Sequence, residues 1–158
     1  MHPQREKECF VEDTLAILKE YDFPASQLWI EITERCRDLP ISMIKKTVTA
    51  FREAGIHITM DDYGTGSSSS QMMLELPVEG VKIDMFFVKD ILEEKKKQAL
   101  VIGMINFANA ADLKICIEGI ENDSLESYLR QFDVTCFQGY HYSRSICQDE
   151  LMKLLIKP

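Results

Sequence analysis

At 158 residues, 46% of them hydrophobic, the chain can fill one core of ordinary size, so a single domain or a large piece of one is expected. The 18 Lys and Arg against 26 Asp and Glu give a formal charge of −8, the wrong sign for grasping a nucleic-acid backbone over a broad surface; no DNA or RNA partner is expected, although a small anionic substrate is compatible if metal ions mediate. No apolar run reaches the roughly 18 residues of a membrane span, no signal-peptide core follows Met1 to Lys7, and five cysteines without Cys-x-x-Cys spacing argue against a disulfide framework or a zinc knot. The expectation is a cytoplasmic chain with reduced, mostly buried thiols.

Val11, Leu15 and Leu18, joined by Phe10 and Ile17, predict an amphipathic helix over about 9–20. Leu28 to Ile32 reads as a strand. Ile41, Ile44, Val48 and Phe51 then repeat the helical period behind Pro40, with Gly55 where a C-terminal cap belongs. Ile56 to Met60 is the next strand, and it runs into Asp61-Asp62-Tyr63-Gly64-Thr65-Gly66 and four serines. Met72 to Leu76 suggests a short helix stopped by Pro77, with the two methionines as core filler, and Val81 to Met85 a strand. Glu93 to Ala111 is the longest helical stretch, with Leu100, Met104 and Ile105 facing a core. Leu113 to Ile117 is a fourth strand, Asp123 caps a helix reaching Phe132, Val134 to Phe137 is a fifth strand, and a last helix covers about 148–156.

Strands alternating with helices imply parallel pairing, because a parallel connection needs a crossover of about a dozen residues or more. Glu31, Asp61 and Asp62, Lys82 and Asp84, Glu118 and Glu121, and Gln138 all stand at or just past the C-terminal end of an apolar run. In a parallel sheet or barrel those ends share one rim, where such folds keep their chemistry.

Each position also has a plainer reading. Glu31 can be an outward polar residue of a half-exposed strand, and Asp61-Asp62 a turn cap. Lys82 and Asp84, on one face by the period of two, can be a structural ion pair. Glu118 and Glu121 can be the wet start of the next helix. Five strands ending alike favour a site. Adjacent carboxylates there call for a cation, and without histidine at metal-ligand spacing the donor set suits Mg2+ or Mn2+. Such ions can clamp a phosphodiester, with a lysine to orient water and a metal-free carboxylate to take its proton.

Glu31-Ile32-Thr33-Glu34, Asp61 to Gly66, Lys82-Ile83-Asp84, Glu118-Gly119-Ile120-Glu121 and Gln138-Gly139-Tyr140 resemble, in order and spacing, the later motifs of the EAL domain, a family of bacterial phosphodiesterases that linearise cyclic di-GMP. The resemblance covers about 10–158 and implies one incomplete domain over 1–158 with no second domain: the C-terminal portion of a TIM-like (β/α) barrel with about five parallel strands. It implies two metal ions, Mg2+ or Mn2+, with Glu31 a ligand of one, Asp61 bridging and Asp62 a ligand of the other. Lys82 would hold the catalytic water and Glu118 would be the general base. Gln138, Glu121 and Asp84 would make substrate or supporting contacts, and Glu34 would steady the loop beginning at Asp61-Asp62, with Gly64 and Gly66, that couples the site to dimerisation. Cyclic di-GMP is the implied ligand, a homodimer the implied assembly, and sensory or diguanylate-cyclase modules the implied upstream partners.

The Glu-Ala-Leu signature, with its metal-binding Glu, is absent, as is the Asn ligand of the following strand; both would precede Met1. About four barrel strands would be missing, in keeping with a length well under the about 250 residues of a TIM barrel. Within the matched part, Tyr63, Ser67, Met85-Phe86, Ile117 and Ser145 replace the usual residues. Two accounts therefore stand: part of a phosphodiesterase, inactive as this fragment alone, or a non-catalytic cyclic di-GMP receptor or protein-interaction module.

Overall fold

The computed structural model describes residues 3–33, 36, 39–64 and 69–156, of which 3–9, 69 and 70 are described by backbone alone. Five parallel strands form one sheet in the order β1-β2-β3-β4-β5: β1 (Trp29–Ile32), β2 (His57–Tyr63), β3 (Gly80–Ile83), β4 (Lys114–Ile117) and β5 (Cys136–Phe137). Among the described residues β1 and β5 each have one neighbour, so the sheet is an open arc of a TIM-like barrel. The helices are α1 (Pro3–Glu20), α2 (Ile41–Glu53), α3 (Ser69–Glu75), α4 (Met85–Val88), α5 (Lys95–Ala110), α6 (Asp123–Leu129) and α7 (Gln148–Leu155). None of them is long and apolar enough to cross a membrane.

The period of two divides the sheet into unlike faces. Ile32, Ile58, Met60, Val81, Ile83, Ile115 and Ile117 are buried on one face with Ile44, Val48 and Phe51 of α2, Val101, Met104, Ile105 and Ala108 of α5, and Leu125 and Leu129 of α6. Each fully buried aliphatic side chain contributes about 1.5–3 kcal/mol over its exposed state. The other face carries Trp29, Glu31, His57, Thr59, Asp61, Lys82, Lys114, Cys116 and Cys136, the face a complete barrel would enclose. Helix α2 ends as its sequence predicts: Gly55 adopts φ +84°, and the Ile56 amide donates to Phe51 O at 3.0 Å.

Several sequence expectations are corrected. The third strand stops at Ile83, because Asp84 accepts a hydrogen bond from the Phe86 amide at 2.7 Å and caps α4; Met85 is therefore helical. Asn122, not Asp123, caps α6, accepting from the Leu125 amide at 2.9 Å, and that helix ends at Leu129. Leu100 is half exposed on the outer side of α5, where Val101 takes the core position. Strand β5 is two residues long, and α7 has no buried residue. Of the described thiols, Cys36 and Cys116 are half-buried while Cys136 and Cys147 are exposed, so mostly buried thiols are not what the fold provides. Cys136, on the polar face of β5, is exposed.

Candidate functional site

Lys82 is the centre of the polar face. It lies in β3 between Val81 and Ile83, both buried, so the strand period points it to the opposite side, where it is only 8% exposed. Its Nζ meets Glu118 Oε1 at 2.6 Å, Glu31 Oε1 at 2.9 Å and Asp61 Oδ1 at 3.4 Å. These carboxylates come from the ends of β1, β2 and β4, so one ammonium joins four strands. Burial works against its charge, but hydrogen bonds to Glu118 and Glu31 and the field of Glu118 and Asp61 outweigh that and hold the Lys82 pKa above its ordinary value. Of the two adjacent acids, Asp61 has this side chain as its cation.

Asp61 and Asp62 belong to β2 itself rather than to a turn after it. Met60 pairs with Val81 and Tyr63 with Ile83, so three steps on β2 match two on β3: one extra residue, a β-bulge. Asp62 has φ +54°, in the left-handed region that aspartate tolerates better than most residues. The bulge breaks strict alternation and adds a residue where the acids stand. Among the described residues Asp61 Oδ1 is buried with no hydrogen-bond partner, its contact being the Lys82 ammonium at 3.4 Å. A buried carboxylate oxygen lacking a donor is a position that a hard cation satisfies. Still, no three of Glu31, Asp61, Asp62 and Glu118 bring donor atoms within 4.8 Å of one another, because they surround Lys82.

Gly64 closes β2 at φ +97°, with its Cα side facing Met104 and Phe87, whose ring would lie 3.2 Å from an added Cβ. Gly119 has φ +74° directly after Glu118, and a Cβ there would collide with Met85. The latter glycine was not singled out by the sequence, yet it lets the chain turn immediately behind the carboxylate. Glu34 and Gly66 lie outside the described residues.

The remaining candidates are dispersed. Asp84 caps α4 and is not among the ion-pair partners of Lys82, so the structural pair between those two residues does not form. Glu121 is exposed and lines a separate cavity of about 250 Å³ with Met85, Leu92 and Leu125. Gln138 is exposed at the end of β5, where its amide donates to Ile117 O at 2.9 Å and its carbonyl accepts from the Ile120 amide at 3.1 Å, bracketing the Glu118 turn through its backbone.

The polar face holds more than the rim motifs indicated. Trp29 stacks on His57 with ring centroids 4.4 Å apart, and Lys114 Nζ sits 4.8 Å above the Trp29 ring, reaching across Gly80. His57 Nδ1 lies 2.5 Å from Glu79 Oε2, which also pairs with Arg52; Glu79 resists burial through these contacts and its pKa falls below the ordinary value. Counting back in twos from Glu118 would have found Cys116 and Lys114. His141 has no metal-ligand spacing in sequence, yet the fold brings it within 4.8 Å of Asp123 and Glu126. Arg130 occupies that Glu126, donating from Nε at 2.7 Å, which makes the group an ion-pair network.

The EAL domain profile matches residues 2–145, and the chain belongs to that family. It is 34% identical over 143 residues to an uncharacterized protein of Synechocystis, covering 89% of this chain and 20% of that protein. It is 27% identical to the cyclic di-GMP phosphodiesterase PdeR of Escherichia coli, with 81% of this chain and 19% of PdeR covered. The solved EAL domain of Mycobacterium smegmatis DcpA superposes with a TM-score of 0.87 at 31% identity, over 92% of this chain and 66% of that one. The chain thus spans about a fifth of the length of these curated relatives.

Proposed function

We propose that this chain carries part of the catalytic face of a cyclic di-GMP phosphodiesterase. Membership of the family and the convergence of Glu31, Asp61 and Glu118 on Lys82 support the reading, and the single observation that carries it is the buried Asp61 Oδ1, which among the described residues has only the Lys82 ammonium at 3.4 Å and no hydrogen bond. In this reading Glu31, Asp61 and Asp62 would hold two Mg2+ or Mn2+ ions. When bound, the ions supply Lewis-acid stabilisation of the phosphodiester and an acidified water. Lys82 orients the water and neutralises phosphate charge, and Glu118, already within hydrogen-bond reach of Lys82, takes the proton. Gln138 and Glu121 contact the substrate or support the site, Asp84 supports it through the α4 cap, and the loop from Gly64 through Gly66, with Glu34, couples it to a homodimer. The product is linear pGpG.

This sequence lacks the Glu-Ala-Leu segment and the Asn that the family adds to one metal. The 158 residues alone therefore do not turn over cyclic di-GMP at a useful rate. Upstream sensory or diguanylate-cyclase modules, and residence in the cytoplasm, are parts of the same proposal. A second reading, a receptor or interaction module without catalysis, is favoured by one observation: Lys82 ties Glu31 and Glu118 together through direct ion pairs, so those two carboxylates also have a structural role. Calorimetric titration of the purified chain with Mn2+ and with cyclic di-GMP, alongside chromatography for pGpG, tests both. Metal-dependent nucleotide binding without pGpG is expected. Absence of metal binding overturns the site, and steady pGpG production overturns the predicted inactivity.

A further inference from the structure

Cys116 and Cys136 are Cα partners in the parallel pairing of β4 with β5. Parallel neighbours stand about 4.8 Å apart, inside the roughly 4.4–6.8 Å range of Cα separations that a disulfide spans. Both side chains occupy the polar face: the residues flanking Cys116, Ile115 and Ile117, are buried in the core, and Phe137, next to Cys136, packs on that same core. Cys136 stands close enough to Cys116 to help raise the pKa of its thiol, after burial. Cys136 is exposed and Cys116 half-buried, so one sulfur meets solvent while the other waits beside it. Lys82 is the Cα partner of Cys116 on β3, which puts Lys82, Cys116 and Cys136 in one row across the sheet.

We propose that Cys116 and Cys136 form a reversible oxidation site, a cross-strand dithiol that closes to a disulfide beside Lys82 when a hydroperoxide reaches Cys136. The Cys136 thiol gives up its proton and the thiolate attacks a peroxide oxygen; with hydrogen peroxide the O–O bond breaks, a sulfenic acid forms, and the departing hydroxide takes up that proton and leaves as water. Cys116 then attacks that sulfur, the S–O bond breaks, the S–S bond forms and a second water leaves. Two thiols are oxidised by two electrons and one peroxide is reduced to two waters. A dithiol reductant reverses the step by exchange. Burial and the neighbouring Cys136 keep the Cys116 thiol protonated, in keeping with Cys136 as the attacking sulfur. The bond ties the two-residue β5, at the sheet edge, to β4.

Trypsin separates the two cysteines cleanly, since residues 115–130 and 131–144 each contain one. The full 158-residue chain, reduced and then exposed to hydrogen peroxide, is alkylated and mapped by mass spectrometry. The expected product is the 115–130 peptide joined to 131–144 with loss of two hydrogens, released by dithiothreitol and formed equally in Cys36→Ser and Cys147→Ser variants. A higher urea midpoint for oxidised than for reduced protein is expected. The proposal is overturned if Cys136 proceeds to sulfinic acid while Cys116 stays open to alkylation, or if the bonds formed run to Cys36, Cys147 or a second chain. The wild-type map decides the matter even if Cys116→Ser or Cys136→Ser does not fold.

Discussion

Lys82 Nζ, on β3, and Glu118 Oε1, just past the end of β4, lie 2.6 Å apart, with 10% and 20% of their side chains exposed. Lys82→Met fills similar volume but leaves Glu31, Asp61 and Glu118 without their cation. The expected loss is about 2 kcal/mol in urea unfolding, below the several kcal/mol of a fully buried pair because Glu31 is 45% exposed. If Asp61 also serves a divalent ion, 10 mM-scale Mg2+ should raise the melting temperature of Lys82→Met more than that of wild type. An equal or smaller shift in the variant would count against a cation site at Asp61.

The pH dependence of that difference follows from the direction of the Lys82 shift. Its folded pKa is raised above the ordinary 10.5, so the stabilisation is complete below pH 10.5 and is lost as pH rises through the folded value. The gap between wild type and Lys82→Met should stay constant from pH 7 to about 10 and narrow only above that. A gap that closes near neutrality would mean the ammonium is not the stabilising species.

Glu79 behaves in the opposite sense. Burial raises its pKa, but hydrogen bonds to His57 and Arg52 prevail and lower it from 4.5, so its contribution is present above pH 4.5 and lost as pH falls through the folded value. Glu79→Gln is expected to cost about 1 kcal/mol at pH 6 and progressively less as the pH falls below 4.5. Denaturation of both proteins across that range provides the check.

Two glycines should respond with opposite signs. Gly103 lies mid-helix in α5 with nothing within 4 Å of an added Cβ, so Gly103→Ala should stabilise by about 0.5–1 kcal/mol. Gly119 has φ +74°, and its Cβ would meet Met85 Cα at 3.0 Å as well as the Met85 side chain. Gly119→Ala should therefore destabilise and displace Glu118. Urea midpoints for the pair give the signs directly.

The strands, their parallel order and the shared rim were legible because apolar runs of Val, Ile and Leu alternate with helical periods, and each polar residue ends a run. What periodicity could not reveal was every place where one side chain redirected the backbone. Asp84 ended β3 by capping α4, Asn122 displaced Asp123 as a cap, and the bulge at Asp62 inserted a residue that a period of two does not anticipate. The site was legible as residue types but not as a pattern of contacts. Lys82 as the hub of three carboxylates depends on the register of four strands, and Cys116 beside Cys136 depends on the pairing of the last two.

Helix α7 carries Leu151, Leu154 and Leu155 exposed and has no buried residue. Its amides should exchange with deuterium far faster than those of α5, whose Val101, Met104, Ile105 and Ala108 are buried. Comparable protection of the two helices would mean that α7 is covered in solution.

Strand order in this sheet is identical to chain order, so every ladder joins a strand to the next one along the chain. No strand threads between two others that must form first. Ordering can therefore spread like a zipper from any adjacent pair, with closure lengths of a single crossover. Adding a strand beside β1 or β5 would extend the arc without rewriting any register already present.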